Sequence, residues 1–144
     1  MATTDTFNFV NDFSEKIADG THDLDTHTFK VALSNVAPDA ADAVIADITQ
    51  IAGGNGYTTG GTALTTVTWT ESSGTATFAS DDVVFEASGG AIATFRYAVL
   101  YNDTATGDPL IGWLDYGEAL DLADGETLTI SESGGWFTVS FTNP

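Results

Sequence analysis

The sequence predicts a mainly β protein, an antiparallel β-sandwich or jelly-roll-like barrel with a short N-terminal helix. The hydrophobic pattern has a helical period near the N-terminus and a period of two from about residue 28 onward. The alternating runs are short, rich in β-branched and aromatic residues, and separated by turns of Gly, Ser and Asp. At 144 residues the chain fits one domain, which we place at residues 1–144, with the sandwich over residues 28–142.

The helix is predicted over residues 8–18. Phe9, Phe13 and Ile17 recur at i, i+4 and i+8 and form one apolar stripe, while polar residues occupy the opposite face. A helix of about three turns is marginal on its own in water, so the stripe must pack against another surface. We expect that surface to belong to a neighbouring subunit or a partner rather than to the sandwich.

Eight segments have the length and alternation of strands, and the turns between them have the matching composition. Residues 71–74 and 132–135 are typical of hairpin connections, and residues 103–109 of a longer turn. Residues 39–51 fit either a short helix or an edge strand. The predicted strands cover residues 29–34, 64–70, 74–78, 83–87, 94–101, 110–116, 126–131 and 136–142.

The charge balance excludes several classes of partner. Three basic residues face 21 acidic ones, which gives a formal net charge of −18. Binding to a nucleic-acid backbone or to an anionic membrane surface requires clustered Lys and Arg, so we expect neither partner. The N-terminus lacks a secretory signal pattern, and no apolar run approaches the ~20 residues of a membrane span. We therefore expect a protein that is made in a cytoplasm and is soluble.

The residues that could carry chemistry do not form a recognisable site. The chain has no cysteine, so it has no thiolate ligand or thiol nucleophile. His22 and His27 lie in an Asp-rich turn, where we expect exposed histidines rather than metal ligands. Residues 121–126 lack the order of a calcium-binding EF-hand and are expected to form a β-turn, with adventitious calcium binding left open. With no nucleophile motif or phosphate loop, the sequence predicts no catalytic residue, metal or cofactor, and no enzyme.

The aromatic residues supply the remaining candidates for an interface. Trp69, Trp113 and Trp136 lie in predicted strands, where core packing is the usual role. Adjacent side chains on a strand point to opposite faces, so in the pairs Trp113–Leu114 and Trp136–Phe137 one member must point away from the core. Exposed tryptophans would also suit stacking against sugars. The candidate interface residues are Phe9, Phe13, Ile17, Trp113 and Trp136.

The segment between Gly20 and Leu64 resembles a known family. Residues 26–38 read Thr-His-Thr-Phe-Lys-Val-Ala-Leu-Ser-Asn-Val-Ala-Pro, and residues 46–61 read Ala-Asp-Ile-Thr-Gln-Ile-Ala-Gly-Gly-Asn-Gly-Tyr-Thr-Thr-Gly-Gly. This pattern resembles virion structural proteins of tailed bacteriophages, of the capsid decoration (cement) type. The resemblance continues loosely through residues 95–101 and 113–117.

The resemblance implies a non-enzymatic protein on the outer surface of the virion capsid, made in the host cytoplasm. The expected partner is the lattice of the major capsid protein, and a cyclic homo-oligomer, with a trimer favoured, fits the symmetry axes of a capsid. The alternative is a receptor- or carbohydrate-binding module of a phage tail or head fibre. A hydrolase is a distant third, because the catalytic constellations are missing.

Overall fold

The computed structural model describes residues 7–141 and confirms a mainly β fold. One helical turn, α1 (Phe13–Lys16), and one 3₁₀ turn (Ile45–Asp47) accompany the strands in this part of the chain. The strands are β1 (Phe7–Phe9), β2 (Phe29–Ser34), β3 (Thr62–Ala63), β4 (Thr68–Ser72), β5 (Thr75–Ala79), β6 (Val83–Glu86), β7 (Ile92–Asn102), β8 (Leu110–Leu122), β9 (Thr127–Ile130) and β10 (Phe137–Ser140).

Antiparallel sheets pack together in a sandwich-like arrangement. The largest has the strand order β1-β8-β7-β2-β3, a three-stranded sheet has the order β10-β5-β4, and β6 pairs with β9. Phe29 on β2 meets Phe78 on β5 at a ring-centroid distance of 5.0 Å, so the two larger sheets share a core. On β6, Val83 and Phe85 are buried while Val84 is exposed, which is the alternation of a strand with one face inward.

The predicted turns have two different outcomes. Ser73 (φ 52°) and Gly74 (φ 84°) join β4 to β5, and two successive positive φ angles suit the tight hairpin turn predicted over residues 71–74. The loop at residues 103–109 joins β7 to β8, as predicted. The hairpin predicted at residues 132–135 is wrong, because β9 pairs with β6 and β10 pairs with β5, so this segment links two sheets.

The helix predicted over residues 8–18 is much shorter than expected. The first described residues instead form β1, which pairs with β8 in the register Asn8↔Trp113, and within residues 8–18 only α1 is helical. Gly112 on β8 permits this pairing, because a Cβ atom there would lie 2.1 Å from the Asn8 carbonyl oxygen. The Val10 N–H then donates to the Ile111 carbonyl (3.1 Å), which extends the non-local pairing beyond β1.

Two other segments differ from the prediction. Residues 39–51 contain the 3₁₀ turn and two isolated bridges, Val44 to Pro109 and Gln50 to Ser34, so they form neither a regular helix nor an edge strand. Of the strand predicted over residues 64–70, only residues 68–70 are extended, as the start of β4, and β3 ends before the predicted span begins. Within residues 7–141, no helix is long and apolar enough to cross a bilayer.

Candidate functional site

An apolar groove runs between α1 and β10. Its volume is about 690 Å³, and Phe9, Phe13 and Ile17, the three residues of the predicted stripe, all line it. Phe13 is buried and Ile17 is half-buried, while Phe9 remains 44% exposed. We call this feature the β10 groove, and its lining residues are Phe9, Val10, Asn11, Phe13, Ser14, Ile17, Thr138, Val139 and Ser140.

A cluster of aromatic rings supports the β10 groove from within. The ring of Phe137, on β10, lies 5.7 Å from Phe7, 5.4 Å from Phe9 and 5.4 Å from Phe13. Phe9 also stacks on Phe13, with 5.7 Å between centroids and an interplanar angle of 3°. The i, i+4 spacing of Phe9 and Phe13 therefore brings their rings together even though Phe9 lies on a strand.

A second apolar hollow of about 380 Å³ shares Ile17 and Val139 with the β10 groove. Trp69 and Phe141 also line it, and Phe141 is 86% exposed. Its position beside β10 extends the apolar surface. Sequence reasoning placed a strand at residues 136–142 but did not identify Val139 or Phe141 as surface residues.

The two tryptophans named as interface candidates lie away from this surface. Trp136 is buried, and its Nε1–H donates to the Ser80 hydroxyl oxygen (2.9 Å), so it is part of the core structure. Trp113, on β8, is half-buried and packs against the core without lining the groove. The structure therefore brings together Phe9, Phe13 and Ile17 but not Trp113 and Trp136.

Each basic side chain of the protein already has an acidic partner. Lys16 lies 3.5 Å from Asp12. The other two cations pair as Lys30–Asp103 (3.1 Å) and Arg96–Asp115 (2.8 Å). The Arg96 guanidinium holds the pKa of the Asp115 carboxyl below its usual value. The surface consequently offers a partner an excess of carboxylates.

The glycine-rich corner within residues 20–64, the segment that resembles virion proteins, has a structural role. The buried Tyr57 hydroxyl donates to Gln50 Oε1 (2.9 Å) and accepts from the Leu33 N–H (3.0 Å), and burial raises the pKa of this phenol. Gln50 Oε1 also accepts from the Gly60 N–H (2.7 Å). At Gly61 (φ 81°) a Cβ would lie 1.8 Å from the Val31 carbonyl oxygen. These residues fasten the corner onto β2 and contribute no reactive group.

The two histidines meet at Asn102, at the end of β7. Asn102 Nδ2 lies 3.1 Å from His22 Nδ1 and 2.9 Å from His27 Nδ1. Asn102 Oδ1 accepts from the N–H groups of Thr104 (2.9 Å) and Ala105 (3.0 Å), so the amide nitrogen faces the imidazoles. Both Nδ1 atoms are therefore acceptors, and in the neutral rings the proton lies on Nε2.

The expectation of two exposed histidines is wrong for His22, which is 6% exposed. Burial, and secondarily the charge of His27, lowers the pKa of His22 to about 4. His22 Nε2 has no hydrogen-bond partner among the described residues, and the ring makes a T-shaped contact with Phe13 (5.3 Å). The signal that sequence reasoning missed was Asn102, a polar residue at the end of an apolar strand.

The described acidic and histidine side chains do not assemble into a metal site. Across residues 7–141, no three His, Asp or Glu residues are grouped so that they could hold an ion. The predicted turn at residues 121–126 is present, with the Glu126 N–H donating to the Ala123 carbonyl (2.9 Å). Two of its carboxylates accept backbone hydrogen bonds, Asp124 from the Gly89 N–H and Glu126 from the Ala123 N–H, and Asp121 accepts from the Thr94 hydroxyl.

In comparisons with protein-family models, curated proteins and solved structures, nothing matches this chain. A functional proposal therefore rests on the geometry of the β10 groove and on the sequence of residues 20–64.

Proposed function

We propose that this chain is a non-enzymatic virion structural protein, a decoration (cement) protein on the outer surface of a tailed-phage capsid. The observation that carries the proposal is the β10 groove with its flanking Phe141, an apolar surface on an otherwise strongly acidic β domain. Exposed apolar patches of this kind mark interaction sites in proteins that are otherwise soluble. The resemblance of residues 20–64 to virion proteins supplies the class of partner.

The acidic surface suits this role. A net charge of −18 opposes non-specific aggregation of the free protein and its binding to packaged nucleic acid, so it reaches the assembled shell as a soluble molecule. Binding to the shell would then stabilise both partners by mass action. A cyclic oligomer, with a trimer favoured, would match the symmetry axes of the shell.

The test is to locate the protein on virions produced from the genome that encodes it. Immunogold electron microscopy should label the outer shell, and quantitative mass spectrometry should find a copy number comparable to that of the major capsid protein. Labelling confined to tail or head fibres, with low copy number, would favour a receptor- or carbohydrate-binding module. Absence from the particle would refute a virion role.

A further inference from the structure

The β10 groove follows the edge of a strand. Thr138, Val139 and Ser140 are consecutive, and all three line it. Alternate side chains of a strand point to opposite faces, so three consecutive residues border one groove when it runs along the strand edge. β10 is the outer strand of its sheet, paired with β5 on one side only within the described chain.

This edge lacks the usual protection against further pairing. Exposed edge strands are normally blunted by charged residues or proline, which hinder the addition of another strand. The sequence of β10 is Phe-Thr-Val-Ser and that of β1, across the groove, is Phe-Asn-Phe, so neither contains a charge or a proline. In contrast, the opposite edge of the same sheet, β4, contains Glu71.

The residues that line the β10 groove are uncharged, so the charge of the surrounding surface and of the whole protein selects the occupant. Glu71 borders the adjoining hollow and Glu15 lies on α1, whereas Lys16, the basic residue of α1, is paired with Asp12. A second copy of this chain would bring another net charge of −18, so self-pairing is opposed by repulsion. A segment with lysine or arginine beside its apolar residues would gain attraction instead.

We infer that β10 accepts an extended segment of a partner protein as an additional strand, with alternate apolar side chains in the β10 groove and basic residues outside it, where they are attracted by the negative charge of the protein. Main-chain hydrogen bonds would supply affinity, and the pockets for alternate side chains would supply specificity. The identity of the partner as a capsid subunit rests on the proposed function, but the binding mode does not.

The experiment uses the purified full-length protein and two synthetic peptides of alternating Val and Thr, one with paired lysines at both ends and one with paired glutamates. In ¹H–¹⁵N NMR titrations at low salt, the lysine peptide should shift the amide signals of Thr138–Ser140, and the glutamate peptide should not. Phe141→Ala should weaken binding of the lysine peptide by about tenfold. Phe141 is 86% exposed, so this variant should fold normally.

Val84→Ala is the matched control, because Val84 is also an exposed apolar residue but lies on β6, away from the groove. It should bind like the unaltered protein. Equal binding of both peptides, shifts confined to other strands, or no binding would overturn the inference. Sedimentation showing a self-associated protein that Phe141→Ala converts to monomer would assign the groove to a second copy and would also overturn it.

The two proposals fail separately. A protein that is absent from virions but binds the lysine peptide along β10 would refute the capsid role and leave the strand-binding mode intact. A protein that decorates the capsid but binds neither peptide would refute only the binding mode.

Discussion

Asn102 selects the same tautomer in two neutral imidazoles at once. Its amide cannot be reversed without losing two backbone hydrogen bonds to Oδ1, so Nδ2 must donate to both His22 and His27. A proton on His22 Nδ1 would place two hydrogen-bond donors, this N–H and the Asn102 amide, against each other at a buried position. This contact joins the turn at residues 22–27 to the loop after β7, and it depends on neutral rings.

The first prediction is that stability falls as the pH drops from about 6.5 to about 4. The pKa of His22 is lowered to about 4 in the folded protein, so between these values the unfolded chain binds the proton and the folded chain does not. The loss from His22 should reach at most about 3–4 kcal/mol, since one pKa unit corresponds to about 1.4 kcal/mol. Lys16, Asp12, Asp19 and His27 also act on this ring.

Urea unfolding at several pH values measures this effect. His22→Asn should be less stable near neutral pH but should lose less stability across the same interval. Carboxylates titrate in both proteins and therefore largely cancel in the difference. Parallel pH profiles for the two proteins would show that His22 is not the group responsible.

The second prediction concerns Tyr57. Tyr57→Phe removes the hydroxyl that accepts from the buried Leu33 N–H and donates to Gln50, so it should cost about 1–3 kcal/mol in unfolding free energy. Tyr116→Phe is the matched control, because the Tyr116 hydroxyl has no hydrogen-bond partner within residues 7–141. Equal melting temperatures for the two variants would contradict the assigned role of Tyr57.

At the scale of elements, alternation predicted most strands correctly, because burial on one face leaves a direct mark on the sequence. The helix at residues 8–18 was predicted too long. A strand followed by one helical turn brings Phe9, Phe13 and Ile17 to the same surface, as a continuous helix would. The pairing of β1 with β8 depends on residues about one hundred positions apart in sequence, and local periodicity carries no information on it.

The candidate site was predictable in part for the same reason. The spacing of Phe9, Phe13 and Ile17 in the sequence predicted that they form one apolar surface. The sequence pattern did not identify Val139 and Phe141 as surface residues, because the exposure of one edge of β10 depends on how the sheets pack together. The burial of His22 depends likewise on contacts with Phe13 and Asn102 that are distant in sequence.

The third prediction tests the docking of β1. In Gly112→Ala the new Cβ would lie 2.1 Å from the Asn8 carbonyl oxygen and 2.5 Å from the Phe7 ring, so β1 must move away from β8. We expect a loss of about 1–3 kcal/mol, as for other overpacked sites. Hydrogen exchange should accelerate at residues 7–9.

Gly134→Ala is the control for this substitution. A Cβ at Gly134 meets no atom within 4 Å, so stability and exchange should be nearly unchanged. Unaltered exchange at residues 7–9 in Gly112→Ala would show that β1 does not depend on the close approach to β8.

For the whole molecule, the net charge of −18 dominates the long-range electrostatics. The three ion pairs involve every Lys and Arg side chain of the protein. The carboxylates that remain unpaired with a cation repel one another in the compact state. The fourth prediction is that the melting temperature rises by a few degrees between low salt and ~0.5 M NaCl, because screening weakens this repulsion. Calorimetry at constant pH measures it, and a melting temperature that is flat or falls with salt would contradict it.

The aromatic cluster around Phe137 also has a consequence for synthesis on the ribosome. Phe7, Phe9 and Phe13 are made early, but the ring that packs against all three is added about 120 residues later. Until then the nascent chain carries uncovered aromatic surface, which is the condition under which partly folded chains aggregate. The same excess of carboxylates that sets the charge of the finished protein would keep growing chains apart during that interval.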